Sequence, residues 1–392
     1  MSRKAFKYRI YPTKGQEQKL FWTLARCREL YNAGRASRRE AYRMAGKSIS
    51  YYEQKRDLPD IKELRPEYKN IHSQVLQDVL LRLEGAYKHF FRRCKNGEKP
   101  GHPRFQGRNR YASFTYPQGG YTLAEKHVTL SKIGTVKCRV HRLLEGTPKT
   151  CTVKYESGQW YVVFSCECAD PSPLEVAYTD VGIDLGITHF AALSDGTFIE
   201  NPPHYRTSEK VLQRRQQALS RKRRGSHRRD KARTLVAKAH RKVRNQRKDF
   251  HQKASRQLVN RYQVIVFEDL QAANLTRAPK PKQDEATGKY LPNGRASKAG
   301  LNKSILDAGW GMFTDMVRVK AAWAGRTTVF VTPKYTSQVC SGCGVIRKKE
   351  LSERWHTCEC GCSLDRDTNA AINIFRLGSS RQGAISVEAP AF

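Results

Sequence analysis

Alternation of apolar and polar positions opens the chain. In "KAFKYRIYPTKGQ", Phe6, Tyr8 and Ile10 alternate with basic residues before Pro12, which predicts a half-buried strand and a turn. The period then lengthens, and residues 14 to 95 read as helical. In "LQDVLLRLEGAYKHFFRR" the residues Val79, Leu80, Leu83, Tyr87, Phe90 and Phe91 share one stripe at helical spacing, as expected of a core face. "SYYEQKRDLPDIKELRPEY", rich in proline and charge, reads as a loop. After the basic loop "KNGEKPGHPRFQGRNRYASFTYPQGG", the runs "HVTLSKIGTVKCRV" and "TCTVKYESGQWYVVFSCEC" alternate again. They predict a small antiparallel barrel or sheet that pairs with the first strand.

A break at "ADPSPLEVAYTD" opens the second half. "VGIDLGITHFAALSDG" predicts a strand and hairpin, residues 206 to 256 a long helical pair, and "YQVIVFEDL" a buried strand. The Gly-, Pro- and Lys-rich segment 275 to 304 reads as a mobile loop. One helix is expected from about 305 to 323 through Trp310, Phe313, Val317 and Ala321, and a frayed tail over 376 to 392.

Charge narrows the partners. The 392 residues carry 73 Lys+Arg against 36 Asp+Glu, a formal net charge of +37, which points to a polyanion and first to nucleic acid. Residues 206 to 256 alone hold 20 Lys+Arg against 3 Asp+Glu, a one-sided face suited to tracking phosphates. In the loop at 95 to 120, Lys and Arg beside Phe105, Tyr111, Phe114 and Tyr116 suit phosphate neutralisation with base stacking. No run approaches the ~18 apolar residues of a membrane helix, and the N-terminus lacks a secretory core, so a reducing, cytoplasmic setting is expected.

In this basic chain a few carboxylates occupy unusual places. Val181, Ile183, Leu185 and Ile187 share one face of a strand, leaving Asp184 on the other between Gly182 and Gly186, with room above it. Glu268 and Asp269 end another apolar strand on opposite faces, so only one can join Asp184, and phase leaves the choice open. If a helix starts near Asp365 as N-cap, then Asp367, Ala370, Ala371 and Ile374 share one face with the carboxylate at its N-terminal end. Three converging carboxylates suit hard divalent cations, two of which about 3.5 to 4 Å apart can support phosphodiester hydrolysis.

The cysteines divide into two populations. Six are scattered, whereas five lie between 340 and 362. Cys340 and Cys343 form a C-x-x-C knuckle, Cys358 and Cys360 follow fourteen residues on, and Cys362 is to spare. The spacing predicts a structural tetrahedral zinc (Zn2+), with Cys360 or Cys362 as fourth ligand and His356 a weaker candidate; a redox dithiol is the alternative.

Taken in order, "KAFKYRIYPT", "LEGAYKHFFRR", "GHPRF", "GIDLGI", "FEDL", "CSGCG", "CECG" and "DRDTNAAINI" resemble the insertion-sequence TnpB (OrfB) proteins, compact relatives of the type V CRISPR effectors. The resemblance covers almost the whole chain. It implies a multidomain α+β fold: a wedge β-barrel (1–13 and 97–174), an inserted helical recognition bundle (14–96), a RuvC-type, RNase H-like nuclease domain (175–331 and 364–392, with 275–304 a lid loop) and a zinc ribbon (332–363). It also implies an RNA-guided DNA endonuclease whose guide RNA derives from the transposon end and whose double-stranded target adjoins a short motif. By motif match Asp184, Glu268 and Asp367 are the catalytic acids holding two magnesium (Mg2+) or manganese ions, and Cys340, Cys343, Cys358 and Cys360 the zinc ligands. Expected nucleic-acid contacts are Tyr51, Tyr52, Ser73, Gln77, Arg104, Lys222 and Arg223. The expected particle is a monomeric ribonucleoprotein in a prokaryotic cytoplasm, associated with the nucleoid. A guide-independent nuclease or transposition factor, and a non-catalytic nucleic-acid binder, are the competing readings.

Overall fold

Phe6, Tyr8 and Ile10 are buried along β1 (Ser2–Tyr11) while Lys7 between them is exposed, so the alternation becomes one core-facing and one solvent-facing edge. This computed structural model describes residues 2–107, 110–350 and 353–380 and separates into two compact units, 1–170 and 171–392.

In the first unit β1 is followed by α1 (Lys14–Ala45), which starts at a capping box: Gln16 N donates to Thr13 Oγ1 at 3.3 Å and Thr13 N to Gln16 Oε1 at 3.0 Å. The segment read as a loop folds instead as α2 (Tyr51–Arg56) and α3 (Leu58–Leu64). A second capping box, Ser50 with Glu53, starts α2, and a proline in the first turn of α3 is a helix-starting signal rather than a breaker. On α4 (Ser73–Lys95) the residues Val79, Leu80, Leu83 and Tyr87 are buried, but Phe91 is 57% exposed, so the predicted stripe is shorter. Six further strands follow: β2 (Ser113–Tyr116), β3 (Tyr121–Leu123), β4 (His127–Leu130), β5 (Gly134–Arg139), β6 (Thr147–Glu156) and β7 (Gln159–Cys168). With β1 they form an antiparallel sheet in the order β2-β6-β7-β1-β5-β4-β3. Leu20, Leu24 and Cys27 of α1 and Val75, Leu76 and Val79 of α4 share its core.

The second unit is built on a mixed sheet. β8 (Val181–Leu185), β9 (His189–Leu193) and β10 (Phe198–Glu200) run antiparallel. The basic hairpin α5 (His204–Ser220) and α6 (His227–Arg261) then leads to β11 (Val264–Glu268), which pairs in parallel with β8. The stretch read as a mobile loop starts at the end of α7 (Ala272–Leu275) and holds a hairpin of β12 (Lys282–Gln283) and β13 (Tyr290–Leu291) and the start of a helix. The helix expected over 305–323 is two, α8 (Arg295–Ala308) and α9 (Trp310–Trp323), because Gly309 between them is left-handed at φ 65°. β14 (Thr327–Val331) completes the order β10-β9-β8-β11-β14. A cysteine-rich insertion ends in the hairpin β15 (Trp355–Thr357) and β16 (Ser363–Asp365), and α10 (Arg366–Ser379) follows without a linker. Residues 376–379 of the predicted tail thus belong to α10 and 380 is its C-cap; the remainder lies outside the described residues.

Strand alternation assigns the two sheet faces. Ile183, Ile265 and Phe267 pack with α6 and α9 through Leu258, Phe313 and Val317, whereas Val264 and Val266 meet Ile374 of α10. On this second face a Cβ at Gly182 would lie 2.3 Å from Ala371 O and 2.5 Å from Phe375 N, and one at Gly378 would lie 2.5 Å from Val266 Cγ1. The room predicted above the strand glycines is, at Gly182, filled by the α10 backbone. Because backbone cannot yield as a side-chain tip can, Gly182→Ala should destabilise the second unit by about 1–3 kcal/mol or more. Denaturant unfolding checks this, and a loss below about 0.5 kcal/mol would contradict it.

Candidate functional site

One strand register sets the acidic site. The parallel pairing of β8 and β11 ends at Ile183 opposite Phe267, and the next residues along the two strands are Asp184 and Glu268. By alternation both carboxylates point to the face that α10 covers, while Asp269 is exposed and accepts from Gln271 Nε2 at 3.1 Å. α10 supplies the third acid. Asp365 ends β16 and caps the helix, accepting from Asp367 N at 2.8 Å and Thr368 N at 3.1 Å, which leaves Asp367 in the first turn facing the strand ends.

Electrostatics confirm the proximity. The Asp184 carboxyl is raised well above its ordinary range by burial and by the charges of Glu268 and Asp367, with Arg366 acting in the opposite direction. Glu268 is also raised by burial, against a hydrogen bond donated by the Thr336 hydroxyl to Glu268 Oε1. Acids drawn together with only a partial offset from Arg366 suit a hard cation, although their oxygens do not close into a set within 4.8 Å as the thiols do. Asp180 and Asp195 stand apart in structural roles: Asp180 accepts from Val264 N at 3.0 Å, and Asp195 from Tyr262 Oη at 2.6 Å.

Four sulfurs gather next to this site. The Sγ atoms of Cys340, Cys343, Cys358 and Cys360 lie within 4.8 Å of one another, with Cys340 to Cys360 and Cys343 to Cys358 both 3.6 Å. These separations exceed a disulfide bond of about 2.05 Å and approach the ~3.8 Å edge of a tetrahedron with 2.3 Å zinc–sulfur bonds. Burial raises the Cys340 thiol, but the Cys343 N–H, the His356 ring and the Gly342 N–H outweigh it and hold it down at about 5. Cys360, although the Cys362 N–H favours its thiolate, is pushed up to about 12 by neighbouring thiols. A cation among the sulfurs would favour their thiolate forms.

The cysteine module and α10 are clamped by amides that pattern reading passed over. Asn369 accepts from Ser341 N at 2.9 Å and donates to Val339 O at 2.8 Å; Asn373 donates to Thr336 O at 2.9 Å and Val339 O at 2.7 Å. Thr336, anchored in this way, is also the residue that holds Glu268. Two asparagines at i and i+4 inside an Ala/Ile run were the available signal, since an apolar helix face gains nothing from buried amides unless they have partners.

The expected nucleic-acid contacts are spread over both units. Tyr51 and Tyr52 of α2 have ring centroids 5.3 Å apart, and Tyr52 is 74% exposed. Ser73 is exposed and accepts from Lys62 Nζ at 2.9 Å, Gln77 is half-buried, and Arg104, Lys222 and Arg223 are exposed. Phe114 and Tyr116, read as stacking candidates, are buried in the first unit's core, so among the aromatics of that loop Phe105 is the one open to a base.

Comparison with known proteins follows this geometry. A protein of Streptomyces pristinaespiralis, provisionally named an RNA-guided DNA endonuclease, is 35% identical over 386 residues, 96% of this chain and 89% of its own. The chain belongs to the TnpB (OrfB) family. Residues 163–278 of this TnpB chain match the OrfB IS605 family model, described as "Probable transposase", and residues 310–374 a Cas12f1-like TNB domain. Residues 1–47 match a model described as a helix-turn-helix domain, but in this TnpB protein they form one strand and one long helix. InsQ of Escherichia coli K12, with the same provisional name, is 32% identical over 95% of this chain and 92% of its own. Among solved structures, the mini-RNA-guided endonuclease Cas_phi3 aligns over 100% of this chain and 94% of its own, at 10% identity and a TM-score of 0.48.

Two outcomes test the site. Asp184 and Glu268 are carboxyls whose folded pKa lies above the unfolded value, so folding takes up protons between the two. Stability of metal-free protein therefore falls as pH rises from the unfolded carboxylate range, near 4, towards the folded pKa. Asp184→Asn should raise the Tm of metal-free protein at pH 7, with the gain shrinking as pH falls towards 4; an equal gain at both pH values would contradict the assignment. Asn369→Ala should cost about 1–3 kcal/mol by orphaning Ser341 N, while Val339 O keeps its bond from Asn373. Hydrogen exchange should then quicken in residues 336–343 and in the first turns of α10, and unchanged protection would refute the clamp.

Proposed function

We infer that this TnpB protein is an RNA-guided, metal-dependent DNA endonuclease of a transposable element. The observation that carries this reading is the grouping of Asp184, Glu268 and Asp367 at the ends of β8 and β11, in a chain of net charge +37 related along its length to proteins named for that activity. The mixed sheet, with its parallel β8 and β11 covered by α10, supports a RuvC-type, RNase H-like domain. The antiparallel sheet and helices of the first unit support a wedge barrel with an inserted recognition bundle. Asp184, Glu268 and Asp367 would hold magnesium or manganese, which when bound supplies an activated water and stabilises the leaving oxygen of a phosphodiester. Thr336 holds the Glu268 carboxylate by a hydrogen bond, and the Asp365 cap fixes where Asp367 emerges. Cys340, Cys343, Cys358 and Cys360 would hold a structural zinc that keeps Val339 and Ser341 in place for Asn369.

The basic hairpin accounts for the polyanionic partners. The end of α6 packs on the sheet through Ala254, Leu258 and Val259, but nearer the turn the buried apolar contacts of the hairpin are a small cluster of Leu212, Ala239 and Val243 with Tyr205, so much of its surface there faces outward with little acid to balance it. A guide RNA from the transposon end and a target duplex would supply the missing negative charge, in a monomeric ribonucleoprotein acting in the prokaryotic cytoplasm.

Asp184→Ala should lower plasmid cleavage by at least about 100-fold while guide RNA still co-purifies. Cutting at the wild-type rate would remove the acids from the mechanism. Wild-type cutting that persists after RNase treatment would instead establish a guide-independent nuclease.

A further inference from the structure

His356 is 0% exposed, and neither ring nitrogen makes a regular hydrogen bond; the ring lies against the Cys340 thiol, whose ionised form it favours. It occupies the middle of β15, opposite Leu364 on β16, and turns inward while Trp355 and Thr357 on either side are exposed. A buried polar atom left without a regular hydrogen bond costs about 1–3 kcal/mol, a cost that a metal bound to the ring would remove. The ring faces two thiols. One nitrogen of His356, Cys340 Sγ and Cys362 Sγ all lie within 4.8 Å of one another. Cys362 is the cysteine that the four-sulfur set leaves out, and its Sγ stands 3.7 Å from the Ser341 hydroxyl.

We propose that Cys340, His356 and Cys362 form a second site for a soft divalent cation, with the Cys340 thiolate bridging it to the four-cysteine site. Two thiolates and an imidazole are a donor set that zinc accepts, and three protein ligands leave its fourth position to water. Binding deprotonates Cys362 and releases that proton to solvent, and coordination gives the buried imidazole a direct bond in place of its long contact with Cys340. The second cation also offsets the excess negative charge that four thiolates leave around a single divalent ion. Gly342 makes the sharing possible: a Cβ there would lie 3.0 Å from Cys362 Cβ, 3.1 Å from Cys360 Sγ and 3.5 Å from Cys340 Sγ, so the knuckle closes over both sets without a side chain between them.

The proposal rests on the four-cysteine set holding its own zinc, and the test separates the two. Full-length protein, purified with its guide RNA, is freed of loosely bound metal, and zinc per chain is measured for wild type, His356→Ala and Cys362→Ser. About two zinc ions are expected in wild type and about one in each variant, with hydrogen-exchange protection of α10 retained to show that the remaining site still folds the module. Cadmium-113 NMR of substituted protein should show two resonances, one of them lost in Cys362→Ser. A wild-type content of one zinc, unchanged in both variants, overturns the second site and leaves the four-cysteine reading standing. No zinc in wild type overturns both.

Discussion

The second unit depends on one close approach, that of the α10 backbone to Gly182. A helix lying on a sheet is ordinarily held off by the side chains between them. Here Ala370 and Ala371 on the helix and Gly182 on the strand remove that spacer, and Ala371 O and Phe375 N come within contact of the strand itself. The close fit brings Asp367 to Asp184 and Glu268; both charges act against ionisation of Asp184, and burial disfavours it further at Asp184 and Glu268. Apolar contact of Ile374 with Val264, Val266 and Val331 offsets part of that cost. The acids are therefore held together by packing elsewhere on α10, and a cation that bound them would relieve strain already present in the electrostatics.

The cysteine module acts on the acids through geometry rather than through charge. β16 runs directly into α10, so the residue that closes the hairpin, Asp365, also caps the helix. Asn369 and Asn373 then tie the helix to Val339, Ser341 and Thr336, and Thr336 reaches Glu268. A disturbance in the module can reach two of the three acids by this route: Asp367 through the helix start and Glu268 through Thr336. Soft donors and hard donors thus stay chemically separate while sharing one mechanical frame, which suits thiolates that favour zinc and carboxylates that favour magnesium.

Much of this was legible along the chain because period and residue chemistry are local. Alternation located β1 and β8, the phase of Asp367 with Ala370, Ala371 and Ile374 identified the inward face of α10, and cysteine spacing marked the module. Legibility failed where one residue type has two uses. Proline and charge around residue 59 looked like a loop, but a capping box and proline in a first turn began helices there. Gly309, a single residue with positive φ, divided what period alone joined into one helix. Phe114 and Tyr116 looked like a stacking platform because aromatic side chains beside arginine serve equally well in a core.

By itself the sequence determined the elements, the excess of positive charge and the candidate acids and thiols, since each follows from residue type and spacing within a short window. The tertiary structure decided which groups meet. Register placed Glu268 rather than Asp269 beside Asp184, because parallel pairing with β8 sets which strand end aligns. Folding of the β15–β16 hairpin closed Cys360 rather than Cys362 into the set of four sulfurs and left His356 buried with Cys362 at its side. Such choices depend on residues distant in sequence coming within a few ångströms, and no local period encodes that distance.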